Sequence, residues 1–167
     1  MIKKLKKSLK TLKETKEFKK FKEDNPDSYL ASCVIIINDK EPGDWQVDYY
    51  QPKKHKMTTF ILKEKIELSG EDDIFQKHKS EVKELNVEKV KINLNKMLNT
   101  IEDLRKEKYP GEYPNKIIAV LQNQDGKIMW NITHLTSTLK IWNIKLDAEK
   151  GKVVEEKLEN VFSMKAS

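Results

Sequence analysis

The chain has 167 residues, enough for one domain or two small ones and enough to bury roughly two-thirds of the unfolded surface, so a disulfide framework is not required. Leu, Ile, Val and Phe number 44, above the fifth of the chain below which a sequence with 36% charged residues stays unfolded, which excludes a disordered polyelectrolyte. The net charge of +6 is local: residues 1–22 carry ten Lys against Glu14 and Glu17, a balance of +8, and the remainder carries 23 basic and 25 acidic groups, a balance of −2.

From Lys3 to Glu23 there is no Gly or Pro, and Ile2, Leu5, Leu9 and Leu12 share one helical face, which predicts a single helix. Its apolar stripe slews towards Phe18 and Phe21, so the helix either wraps a twisted sheet or touches two surroundings. Asn25-Pro26-Asp27 stops it, because the residue before Pro is pushed out of the α region. Tyr29 to Asn38 is apolar on both faces and reads as a central strand. A turn at 39–44 precedes a half-exposed strand in which Trp45, Val47 and Tyr49 alternate with Gln46, Asp48 and Tyr50. Lys56 to Leu68 reads as a third strand interrupted at Glu64, followed by an acidic loop at 69–73. Residues 74–92 fit neither period, with a slight preference for helix at 76–85.

Asn93 is a helix cap, and Leu94, Met97, Leu98, Ile101 and Leu104 keep i, i+3, i+4, i+7 spacing, so Leu94 to Lys108 is the clearest helix. Asn115 to Gln124 is a second strand apolar on both faces, Asp125-Gly126 marks a tight hairpin, and Lys127 to Thr133 returns. Thr138 to Leu146 is a further strand, a turn occupies 147–151, and the tail from Glu156 is a short helix or strand.

The two halves therefore repeat one order: helix, Pro-containing stop, buried strand, turn, Trp-containing strand, long strand. Trp45 answers Trp130, and Thr59-Phe60-Ile61-Leu62 is echoed by Thr138-Leu139-Lys140-Ile141. The expected fold class is α+β, a tandem of cystatin-like α-β-β-β units at 1–73 and 93–167 joined by a connector at 74–92, each helix laid on antiparallel sheet.

Ile92-Asn93-Leu94 opening a helix, Tyr109-Pro110-Gly111 ending it, Trp130 in the next hairpin, and the strand from Trp142 through Asp147-Ala148 to Gly151 resemble the pattern of the PepSY domain family over roughly residues 90–155. The resemblance implies a small, non-catalytic module that binds or inhibits partners. Thr100 departs from the small Ala common at that point of the family's helix, and the family is mostly extracytoplasmic, whereas Lys and Thr interrupt every apolar stretch near the N-terminus that could serve a secretory signal. The expectation is accordingly a cytoplasmic protein.

No catalytic motif, metal cluster or phosphate loop stands out, and neither enzymatic activity nor a cofactor is expected. His55, His78 and His134 lack the spacing of metal ligands. Cys33, inside an apolar run, reads as a small core residue, and Trp130 and Trp142 read as core filler. Outward residues such as Tyr50, Met129 and Ile141 are candidates for an apolar face that receives a protein or peptide partner or a second copy of the chain, through the free sheet face or an edge strand. The alternative is association with a polyanion, nucleic acid or an anionic membrane surface, through Lys3, Lys6, Lys7 and Lys10. Sequence-specific base reading is disfavoured, since 32 Lys stand beside a single Arg, Arg105.

Overall fold

The computed structural model describes residues 2–73 and 82–161, with side chains at 4–68 and 82–161. The elements are α1 (Ile2–Glu14), α2 (Lys16–Asp24), β1 (Tyr29–Asn38), β2 (Glu41–Pro42), β3 (Trp45–Gln51), β4 (Lys56–Leu62), β5 (Glu67–Asp73), a 3-10 turn (Val87–Lys89), α3 (Leu94–Lys108), β6 (Pro114–Gln124), β7 (Lys127–Thr136), β8 (Lys140–Asp147) and β9 (Val153–Asn160). The strands form one antiparallel sheet in the order β5, β4, β3, β1, β6, β7, β8, β9, with β2 paired to the end of β1. The chain is thus α+β, with three α-helices and a large antiparallel sheet among the described residues.

The two runs that are apolar on both faces, in β1 and β6, meet at the middle of this sheet, with Ile35 opposite Ala119 and Val34 opposite Val120. Alternation along each strand then separates two faces. Cys33, Ile35 and Ile37 of β1, Val47 and Tyr49 of β3, Phe60 of β4, Leu121 of β6, Trp130 and Ile132 of β7, and Trp142 and Ile144 of β8 turn to one side, where they form a single core with the helices. Leu5, Leu9 and Leu12 of α1, Phe18 of α2, and Leu94, Met97 and Ile101 of α3 supply the covering layer. All three tryptophans and Cys33 are buried in that core, in agreement with the reading of Trp130, Trp142 and Cys33 as packing residues.

The single helix expected over 3–23 is broken at Thr15. The Thr15 hydroxyl donates to the Leu12 carbonyl at 2.7 Å and accepts from the Phe18 N–H at 3.2 Å, so one side chain ends α1 and caps α2. The break resets the helical phase. Phe18 is thereby turned onto Tyr49 and Phe60, at ring separations of 5.0 and 5.7 Å, and the slewed stripe is resolved by a cap rather than by a wrapping helix.

The strand expected over 56–68 is two strands. β4 ends at Leu62, and β5 begins at Glu67 and folds back on it, so Glu71, Asp72 and Asp73 belong to β5 rather than to an acidic loop. The helix preferred at 76–85 falls mostly outside the described residues, and residues 82–86 are not helical. Trp45 lies opposite Leu62 and Trp130 opposite Leu146, which makes Leu146, not Ile141, the counterpart of Leu62. Leu139, matched to Phe60 in sequence, instead occupies a turn at φ 60°.

Gly151 closes the turn between β8 and β9 at φ +77°, and a Cβ there would lie 3.0 Å from Ile92 Cδ1. The left-handed backbone favours glycine, and the tip of the Ile92 side chain would have to give way by a few tenths of an ångström to admit a Cβ. Gly151→Ala is expected to lower stability by about 1–2 kcal/mol, read as a shift in the urea midpoint with an unchanged slope.

Candidate functional site

A groove of about 1160 Å³ opens on the helical side, between α1, the start of β1, the segment 84–89 and the β6–β7 turn. Lys6, Leu9, Lys10 and Lys13 form one i, i+3, i+4, i+7 row of α1 along its wall, and Lys7, Lys22 and Lys89 add to the rim. The row exists because Leu5 and Leu12 point into the core while the positions beside them are Lys. Leu9, Phe18, Leu30, Tyr49, Leu85 and Ile128, each at most 9% exposed, form a largely buried apolar floor, and the half-buried Tyr29 and Val87 are its more open edge.

Two of these lysines are engaged. The Lys22 ammonium donates to the Ser28 carbonyl, and Lys6 faces Glu88 at 3.5 Å. Among the described residues no carboxylate lies within ion-pairing distance of Lys7, Lys10, Lys13 or Lys89. Among the described residues Glu84 and Glu88 are the acidic residues of the lining, so the described lining carries an excess of four positive charges. A concave, partly apolar wall concentrates such a field on an incoming anion.

The structure gathers Lys6, Lys7 and Lys10 at this groove, and places Lys3 on the same helix with its side chain outside the described set. Lys13, Lys22 and Lys89 were not singled out from sequence. Lys13 was accessible to it, three residues beyond Lys10 on the same row. Lys89 was not, because the segment that carries it has no periodicity.

The apolar candidates do not converge. Tyr50, Met129 and Ile141 all project from the sheet face opposite the helices, but Tyr50 and Met129 are only 7% and 5% exposed. Tyr50 stacks edge-on against Tyr29 at 5.7 Å, and its hydroxyl meets His55 Nδ1 at 3.2 Å. Three strand steps, about 14 Å, separate β3 from β7, and Ile141 pairs with Leu135, some 20 Å along β7 from Met129. The three therefore do not form one patch. The apolar residues at the centre of that face are Val34, Ile36, Ile118 and Val120, all half-buried, bordered by polar contacts such as Ser32 Oγ donating to Asp48 at 2.7 Å and Asn143 Nδ2 donating to Asn131 at 2.8 Å.

The lone arginine is spent inside the fold. Arg105 is 3% exposed, grips Glu102 with two hydrogen bonds of 2.6 and 3.0 Å, donates to the Pro110 carbonyl at 3.2 Å, and lies 4.8 Å from the Tyr113 ring. Those bonds, foremost the side-chain hydrogen bond, hold the Glu102 carboxyl below its usual range. The guanidinium anchors the last turn of α3 to the following loop.

Burial pushes the Cys33 thiol far up, so it is no nucleophile. His134 is 1% exposed, and neither ring nitrogen has a hydrogen-bond partner among the described residues. Its ring meets Trp142 edge-on at 5.2 Å, and burial pushes its pKa down to about 4. His55 sits in the β3–β4 turn, and His78 lies outside the described residues. Among the described residues no three His, Cys, Asp or Glu side chains gather to hold a metal ion, and no helix is long and apolar enough to cross a membrane.

No family model matches the chain. No curated protein matches it either. Among solved structures, a "putative lipoprotein" from Clostridium difficile 630 is similar at 15% sequence identity over 86% of this chain and 90% of that one, with a TM-score of 0.46. The functional reading rests on the residues themselves.

Proposed function

We propose that the chain is a non-catalytic binding module that recognises a protein or peptide partner through the lysine-rimmed groove. The observation that carries this is the juxtaposition of Lys7, Lys10, Lys13 and Lys89, all without an acidic partner among the described residues, with an apolar floor beneath them. Apolar area supplies affinity, and a field of one sign selects and orients what enters. We also propose that the scaffold is a tandem of two PepSY-like α-β-β-β units, residues 1–73 and 93–167. The palindromic strand order about the β1–β6 seam supports it, as do the equivalent pairings of Trp45 with Leu62 and Trp130 with Leu146.

The same lysines favour a second reading, association with a polyanion. Against nucleic acid stands the engagement of Arg105 within the fold, which leaves no planar fork for phosphates. Against a membrane surface stands the burial of Leu5, Leu9 and Leu12, which leaves α1 no apolar face to insert.

The test is a photo-crosslinking residue at Val87 in the intact chain, expressed in its own cells. Discrete protein adducts that vanish when Lys7, Lys10 and Lys13 are all changed to Glu are expected. Nuclease-sensitive adducts would replace this reading by the second, and adducts indifferent to the three reversals would refute both.

A further inference from the structure

The groove fixes more than the sign of its occupant. Lys6 and Lys10 are one helical turn apart, about 6 Å along α1, and Lys13 lies roughly 4.5 Å further on the same wall. An extended peptide places alternate side chains on one side at about 6.6 Å spacing and the intervening ones on the other. A chain lying along α1 can therefore set successive acidic side chains against the lysine wall while its intervening residues face the apolar side of the groove, where the half-buried Tyr29 and Val87 are the open groups and Phe18, Tyr49, Leu85 and Ile128, each at most 5% exposed, lie beneath.

We infer that the groove takes an extended acidic segment of a partner protein in which Asp or Glu alternates with aliphatic or aromatic residues. This rests on the reading of the groove as the partner site and adds the pattern of the partner. Charge complementarity supports it: among the described residues six lysines line the groove against Glu84 and Glu88, and four of the six lack an ion-pair partner there. The apolar floor gives the intervening side chains a place that a purely anionic chain would leave unused.

The experiment uses the full chain and four labelled probes: an eight-residue peptide alternating Glu with Leu or Val, a peptide of the same composition with acidic and apolar residues in two blocks, an all-Glu peptide, and oligothymidylate. Vesicles of 70:30 phosphatidylcholine and phosphatidylserine are assayed beside them. Binding is measured by fluorescence anisotropy, or by co-sedimentation for vesicles. The alternating peptide is expected to bind at least tenfold tighter than the block and all-Glu peptides. A Lys7→Glu, Lys10→Glu, Lys13→Glu variant should abolish this binding, and a Lys53→Glu, Lys106→Glu, Lys150→Glu variant of equal net charge should leave it within twofold.

Equal binding of the three peptides, all lost on reversal of the groove lysines, would overturn the alternating pattern and leave the groove as the peptide site. Tighter binding of oligothymidylate or vesicles, lost on the same reversal, would overturn it in favour of a polyanion. Binding by every probe that survives the reversal would overturn the pattern and the groove reading together. Near-ultraviolet circular dichroism of both variants checks that they fold, which surface Lys substitutions should leave unchanged.

Discussion

A chain lacking residues 1–22 is expected to lose its cooperative unfolding transition altogether at 25 °C and to bind a dye that reports exposed apolar surface. Leu5, Leu9, Leu12 and Phe18 are each at most 5% exposed and all pack into the shared core. At about 1.5–3 kcal/mol for each such side chain buried, they supply an amount comparable to the entire stability of a domain, about 5–15 kcal/mol. Their loss also uncovers Tyr49, Val47 and Phe60, which then meet water on the sheet. This segment carries a local charge of +8 and yet is a structural layer: its lysines lie beside and opposite the stripe that docks. Reversal of lysine charges, not truncation, is consequently the way to separate binding from folding. Retention of a transition within a few degrees of the full chain, followed by calorimetry, would show instead that α1 and α2 are dispensable to the core.

The central strands were legible in the sequence because five consecutive apolar residues, Cys33 to Ile37 and Ile117 to Leu121, can be buried on both faces only inside a sheet. That these two strands pair with each other was not legible, since alternation specifies a face and says nothing about the neighbour across the hydrogen bonds. The break in the first helical segment has a local cause that periodicity does not carry. Thr15 is one residue in a run without Gly or Pro, and its dual bonding to Leu12 and Phe18 leaves no trace in periodicity beyond the slewed stripe. The break between β4 and β5 falls at Lys63-Glu64-Lys65, where no turn-forming residue marks it.

The site shows the same division. Lys6, Lys7 and Lys10 follow from the helix pattern, whereas Lys89, Leu85 and Val87 arrive from a segment whose path is set by tertiary bonds such as Leu85 N–H to the Leu30 carbonyl at 2.8 Å. Tyr50 and Met129 were placed on the correct face, but outward orientation is not exposure. Tyr50 is held against Tyr29 and His55, and Met129 sits between Gln122 and Asp147.

Acidification from pH 7 to 4.5 is expected to cost the protein about 2.5 kcal/mol through one side chain, His134. Its imidazole is enclosed by β7 and by Trp142 of β8, and α3 presents Glu102 and Arg105 to it. Burial is the largest influence and disfavours the imidazolium. The Glu102 carboxylate opposes that effect, and the Arg105 guanidinium reinforces it. The folded pKa of about 4 lies below the ordinary 6.5, so the folded state prefers the neutral ring. The associated stability is complete above pH 6.5 and disappears as pH falls through the interval from 6.5 to 4. Glu102, Glu112 and Glu156 have carboxyl groups held below the usual range, foremost for Glu102 and Glu112 by hydrogen bonds from Arg105 and from Thr138, and for Glu156 by hydrogen bonds from Trp142 and Lys108 that outweigh its burial. They lose their contribution only below about pH 4.5, so the histidine step comes first. Urea titrations at pH 7, 5.5 and 4.5 on the full chain and on His134→Leu measure it. The variant replaces two ring nitrogens that have no hydrogen-bond partner among the described residues by an apolar group, so it should match or exceed the parent at pH 7 and lack the decline between pH 6.5 and 4.5. A parent whose stability is flat across that interval, or a variant that declines in parallel with it, would mean that His134 is hydrated or charged in the native fold.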